Sequence, residues 1–237
     1  MPRILGTVIL LWASLWTCLW ATPLSAGAWP RAAGSGFASL SLWQSGPFSA
    51  VPGRYTALYV EYGATPRLTF GLDAGRGVSG ATKTVVFLRR PLLTWREHIL
   101  TAEIGLGQIA GQPVLRPGLS YGTGFQTRHG SGWLAVDTLL ELGIDTGETD
   151  FKTDITVGFT PAATLTSWLW PDDATPPRLT GMLQLQAGSA ADAPVFLRLA
   201  PSVTYRLRGN TRLEIGAFRS LRGPVEAGLK LGIWTEF

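Results

Sequence analysis

From Gly36 to the C-terminus the chain alternates apolar and polar side chains with a period of two, in runs of about ten residues separated by turn-type clusters. The pattern predicts twelve strands. They run over 36–45, 54–63, 67–75, 81–90, 98–108, 114–125, 133–143, 150–159, 179–187, 195–207, 211–219 and 225–237. In the last, Val225, Ala227, Leu229, Leu231, Ile233, Thr235 and Phe237 share one face, and Glu226, Gly228, Lys230, Gly232, Trp234 and Glu236 share the other. The run 150–159 behaves alike, with Phe151, Ile155 and Val157 set against Lys152, Asp154 and Gly158. Residues 164–170 fit either a further strand or a long turn ending at Pro176-Pro177.

Alternation alone also suits a soluble β-sandwich, which turns its apolar faces inward. Two features favour the opposite orientation. The polar faces are crowded with glycine (Gly71, Gly105, Gly107, Gly118, Gly122, Gly158, Gly216, Gly228, Gly232). Glycine weakens an exposed strand but relieves crowding on the concave inside of a closed barrel. The apolar faces carry no charge through their middles, as a lipid-facing surface requires, because a charge at the bilayer midplane costs about 2–4 kcal/mol. The reading is an all-β, antiparallel, up-and-down transmembrane barrel of twelve strands, with ten or fourteen as alternatives. An even strand count brings both termini to one end. The descending strands then finish in outward aromatics at Tyr62, Phe125, Phe159, Tyr205 and Phe237, with Trp95 in the turn after the remaining one. That is the girdle expected at a membrane interface.

The first 28 residues stand apart. Arg3, an apolar run from Ile4 to Trp20 and the small-x-small triplet Ala26-Gly27-Ala28 read as a secretory signal peptide, leaving 29–237 as one barrel domain. The single Cys, Cys18, falls inside this leader, and Trp16-Thr17 before it fits a lipoprotein signal poorly. The barrel segment is therefore built without disulfides. Composition agrees with a membrane barrel. Hydrophobic residues make up 46% of the 237, charged residues only 15%, and the net charge is +4 with no basic block, so nucleic acid is not an expected partner.

The leader, the alternating ten-residue strands and the terminal Phe237 together resemble bacterial outer-membrane β-barrel proteins. The start Ala28-Trp29-Pro30 followed by Gly34-Ser35-Gly36-Phe37 resembles uncharacterised proteobacterial barrels of the porin-like class. The resemblance implies residence in the outer membrane, contact with its lipid and lipopolysaccharide, and Phe237 as the signal read by the barrel-assembly machinery.

Strand parity turns both signs of charge inward: Arg89, Arg116, Lys152, Arg198, Arg206, Arg212 and Lys230 against Asp73, Glu103, Asp137, Glu141, Asp154, Glu214 and Glu226. Of these, Arg116, Glu141, Lys152, Asp154, Arg198, Arg206, Glu226 and Lys230 are the candidate lumen-lining binding residues. A six-residue loop after strand seven sets Glu141 opposite Lys152. Opposed charges suit a water-filled pore for small polar solutes, and the same charges can pair and plug a narrow barrel; twelve strands lie between those extremes. The expectation is a small porin-like or solute-selective channel. The alternative is a non-conducting structural or adhesion barrel, with an envelope-lipid enzyme third. The two histidines suit catalysis poorly, since His98 starts a strand on the outward face and His129 lies in a turn beside Ser131. Asp145, Glu148 and Asp150 in one hairpin offer oxygen ligands for Ca²⁺, or a hydrated turn. Trp43, Tyr55, Tyr59 and Trp133 offer a stacking platform, or packing against inward glycines. No phosphate loop or Cys/His metal spacing occurs, and no cofactor is expected.

Overall fold

The computed structural model describes residues 27–46, 49, 53–77, 80–162, 178–190 and 193–237. Twelve strands form one closed antiparallel barrel in which every strand pairs with its neighbours in sequence and β1 pairs with β12. The strands are β1 (Gly36–Ser45), β2 (Arg54–Thr65), β3 (Leu68–Gly77), β4 (Thr82–Trp95), β5 (His98–Ile109), β6 (Gln112–Thr127), β7 (Gly130–Gly143), β8 (Thr149–Pro161), β9 (Leu179–Ala190), β10 (Ala193–Arg206), β11 (Thr211–Arg222) and β12 (Ala227–Glu236). Each predicted strand is present. Most run past their predicted ends because ladder pairing continues beyond the apolar stretch: β4 reaches Trp95 through an irregularity between Pro91 and Leu93. Residues 1–26 of the expected leader and the 164–170 segment lie outside the described residues. No helix among the described residues is long and apolar enough to cross a membrane. Strands of this length suffice, since about 9–11 tilted residues cross the hydrocarbon core.

The barrel is inside out relative to a soluble fold. Leu229 (68% exposed) and Val86 (59%) face outward, while Glu61 (0%), Glu214 (0%) and Arg116 (1%) are fully enclosed. Burying unpaired charge is costly, so this inversion is stable only with the outer surface in lipid and the inner charges paired. Tyr62, Phe70, Trp95, Phe125 and Phe237 project outward at the end carrying the termini, hereafter the terminal end. His98 joins that girdle, stacked on Trp95 with ring centroids 5.0 Å apart and with Nδ1 2.7 Å from the Tyr121 hydroxyl. The seam closes where Gly36 N–H donates to the Phe237 carbonyl (2.6 Å) and Phe237 N–H donates to the Gly36 carbonyl (3.0 Å).

Inward glycines make room for inward aromatics on the adjacent strand. A Cβ at Gly71 would lie 2.0 Å from the Phe87 ring, at Gly158 2.3 Å from Trp133 Nε1, and at Gly75 1.9 Å from the Tyr55 hydroxyl. Rings lying flat against a glycine backbone thicken the wall without crossing the lumen. Tyr55 and Trp133 thus take the packing role. Tyr59 stacks on Phe87 (5.7 Å), and Trp43 packs on Phe218 (5.3 Å).

Candidate functional site

The lumen holds a cavity of about 790 Å³. That lies within the range of pockets that enclose small molecules, about 300–1,000 Å³. Its wall carries Arg54, Lys83, Arg89, Arg116, Arg198 and Lys230 against Asp73, Glu103, Asp137, Asp154, Glu214 and Glu226, equal numbers of each sign.

One sector, spanning β2 to β6, is a continuous ladder of ion pairs. Arg31 Nε meets Glu61 Oε2 at 2.6 Å, and Glu61 Oε1 meets an Arg89 Nη at 2.5 Å. Arg89 reaches Glu103 at 2.7 Å, Glu103 reaches Arg116 at 3.0 Å, Arg116 reaches Asp73 at 2.6 Å, and Asp73 reaches Lys83 at 2.8 Å. Phe87 lies beneath the guanidinium groups of Arg89 and Arg116, 5.1 and 5.7 Å from its ring centre. With each charge bonded to the next, the ladder is a rigid wall, not a set of free ligands.

The opposite sector is looser. Arg198 pairs with Glu226. Lys230 pairs with Glu214 at 2.7 Å and sits over Trp43 at 4.8 Å. Asp154 stands directly across the ladder from Asp137 and, among the described residues, receives a Gln184 amide at 3.3 Å.

The structure therefore brings Arg116, Asp154, Arg198, Glu226 and Lys230 to one cavity. Glu141 and Lys152 lie beyond it, toward the end away from the termini, and Arg206 lies at the terminal end beside Arg212. Glu141 is not opposite Lys152 as the loop length suggested. Its register partner is Asp150, and Lys152 faces Leu139. The turn explains the difference: Gly143 N–H donates to the Glu148 carbonyl and Gly147 N–H to the Gly143 carbonyl, both at 2.9 Å, with Gly147 at φ +70°, so the ladder closes at Leu142–Thr149. Lys152 still reaches Glu141 along the diagonal, at 2.5 Å. Asp145 and Glu148 are exposed, and no group of three or more metal-binding side chains occurs among the described residues. His129 is exposed in its turn, where Arg128 Nε donates to its Nε2 at 2.8 Å.

Three members of the ion-pair ladder escape the sequence reading: Glu61, Lys83 and Arg31. Glu61 and Lys83 share parity with Tyr59 and Arg89 and were legible from alternation. Arg31 was not, because it precedes the first strand. It belongs to a segment, 27–35, that turns into the barrel. Arg31 N–H donates to Thr69 Oγ1 (3.0 Å), Gly34 N–H donates to the Gly63 carbonyl (2.8 Å), and Trp29 meets Trp133 edge to face at 6.2 Å. Arg89 donates to the Gly27 carbonyl. The segment starts at β1 and ends against β7, six strands away on a ring of twelve, which is the opposite wall. Twelve strands about 4.8 Å apart and tilted about 40° give a diameter of about 24 Å, and the nine residues before Gly36 reach about 30 Å. The segment is a crossbar over the terminal end of the lumen.

The fold is shared with solved outer-membrane barrels. The structure is similar to "KdgM porin" (TM-score 0.60, 9% identity, 85% of this chain and 99% of that one) and to "NanC porin" (0.59, 8%, 84% and 98%). It is also similar to the COG4313 outer membrane channel from Pseudomonas putida F1 (0.51, 13%, 91% and 99%). No protein-family model matches the chain, and no curated protein sequence matches it.

Proposed function

We propose that this protein is a small diffusion channel of the bacterial outer membrane, reached through a cleaved leader, that passes small polar solutes. The observation that carries the reading is the 790 Å³ charge-balanced cavity inside a closed barrel whose outer face is apolar. Opposed charges on facing walls give a transverse field that orients dipolar solutes, and equal numbers of each sign favour neutral or zwitterionic ones. Arg198, Glu226, Lys230 and Asp154 are the selective contacts, being the charges outside the rigid ladder. Arg116 holds the wall they face. Glu141 with Lys152 guards one mouth and Arg206 the other. One structural neighbour is a KdgM porin in complex with disordered oligogalacturonate. The present lumen, with Arg89, Arg116 and Arg198 ion-paired, suits an uncharged or mixed-charge solute. Phe237 serves as the assembly signal, and lipid and lipopolysaccharide surround the girdled wall.

Purified protein in planar bilayers tests the reading. Stepwise conductance with cation and anion permeabilities within about twofold of each other is expected, because the cavity charges balance. Silent bilayers with a correctly folded barrel, shown by faster gel migration before boiling, would instead support the second reading, a non-conducting structural barrel. The crossbar favours that reading, since it narrows the terminal end. An enzymatic role has the least support: His98 points outward and His129 lies in an exposed turn, so neither faces the cavity.

A further inference from the structure

The crossbar ends beside a carboxylate with an unmet bond. Asp137 Oδ1 is buried and has no hydrogen-bond partner. Gly27 lies against it: a Cβ there would fall 2.7 Å from Oδ2 and 2.9 Å from Oδ1, and its φ of +100° also disfavours any residue with a side chain. A backbone nitrogen sits about 2.5 Å from its own Cβ position, so the Gly27 nitrogen is within about 5 Å of the Asp137 carboxylate. Arg89 does not hydrogen-bond Asp137: its two Nη groups donate to Glu61, Glu103, the Tyr59 hydroxyl and the Gly27 carbonyl, and its Nε is buried without a partner. Around this point Glu61, Asp73 and Glu103 are each ion-paired with Arg31, Lys83, Arg89 or Arg116, whereas Asp137 has no ion pair among the described residues.

We propose that the leader is removed between Ala26 and Gly27, and that the new α-ammonium group of Gly27 is the counter-ion of Asp137. A leader peptidase would add water across the Ala26–Gly27 peptide bond. The carboxylate stays on Ala26, and the freed amine of Gly27 takes up a proton and becomes a cation beside Asp137. The Ala26-Gly27-Ala28 triplet alone places the cut two residues later. That cut would discard the Gly27 carbonyl, leave one Arg89 donor without its acceptor and leave Asp137 unmatched. Cutting before Gly27 keeps both contacts and pins the crossbar to the wall opposite its point of entry. The inference rests on the leader reading and is independent of whether the barrel conducts.

Full-length precursor is expressed in a Gram-negative host, and the barrel is purified from the outer membrane for intact mass measurement and N-terminal sequencing. The expected start is Gly-Ala-Trp-Pro. A start at Trp29, or an uncleaved chain, overturns the proposal. The ion pair is tested by brief amine acylation near neutral pH followed by peptide mapping. The Gly27 amine should react at least tenfold more slowly in the folded barrel than after denaturation, and D137N should remove most of that protection. Equal labelling of folded and denatured wild-type protein overturns the pairing even if D137N fails to fold.

Discussion

Glu61 accepts three side-chain hydrogen bonds in the lumen, and its neutralisation gives the sharpest test of the ion-pair ladder. The carboxylate is fully enclosed and accepts from Arg31 Nε at 2.6 Å, an Arg89 Nη at 2.5 Å and the Tyr59 hydroxyl at 2.7 Å. In Glu61→Gln one oxygen becomes an NH₂, which turns a donor toward a guanidinium and removes the charge. Breaking a buried pair by deleting one partner costs about 3–5 kcal/mol. The lower end applies, because Arg89 retains Glu103 at 2.7 Å and Arg31 lies 3.9 Å from Glu236. A loss of about 3 kcal/mol lowers the folded-to-unfolded ratio about 150-fold. The comparator is Arg198→Gln. Its pair with Glu226 is about a quarter to a third exposed, and such screened pairs contribute about 0–1 kcal/mol. Urea titrations of both variants in lipid vesicles, followed by tryptophan fluorescence and gel mobility, give the two midpoints. If E61Q and R198Q shift the midpoint equally, the ladder is not a structural wall and the division of the lumen into rigid and loose sectors fails.

Further outcomes follow from other contacts. R198Q should move the permeability ratio toward cations and E226Q toward anions in planar bilayers, each leaving the barrel folded; identical shifts would remove these residues from the conducting path. Gly71→Ala forces a methyl into the Phe87 ring at 2.0 Å, and should cost about 1–3 kcal/mol in the same urea assay, with G71A/F87A recovering part of the loss if that contact is the cause. Phe237→Ala retains the main-chain bonds to Gly36, so refolding into detergent should be nearly unchanged while the yield of heat-modifiable barrel in cells falls several-fold. An unchanged cellular yield would end its role as an assembly signal.

The sheet was legible because a period of two is a local property of the chain, and each strand announces both of its faces. Lys230 and Ile233 are assigned to inside and outside by neighbours one or two residues away. Contacts set by turn geometry were less legible. Gly147, with positive φ, changes the register by two and moves Lys152 from opposite Glu141 to its diagonal. The crossbar was illegible in a stronger sense. Arg31 and Trp29 have no periodic context, and their partners Glu61 and Trp133 are brought near only by barrel closure. Glu61 itself is within reach of parity, two residues from Tyr59 on the inward face of β2.

The inward course of residues 27–35 suits one order of folding in particular. The β1–β12 seam joins chain positions near opposite termini, so it pays the largest loop-closure entropy and forms late. A peptide already laid across the interior when the cylinder shuts need not thread through a finished wall. An open sheet would thus carry residues 27–35 tucked inside, and the last pair of strands would enclose them.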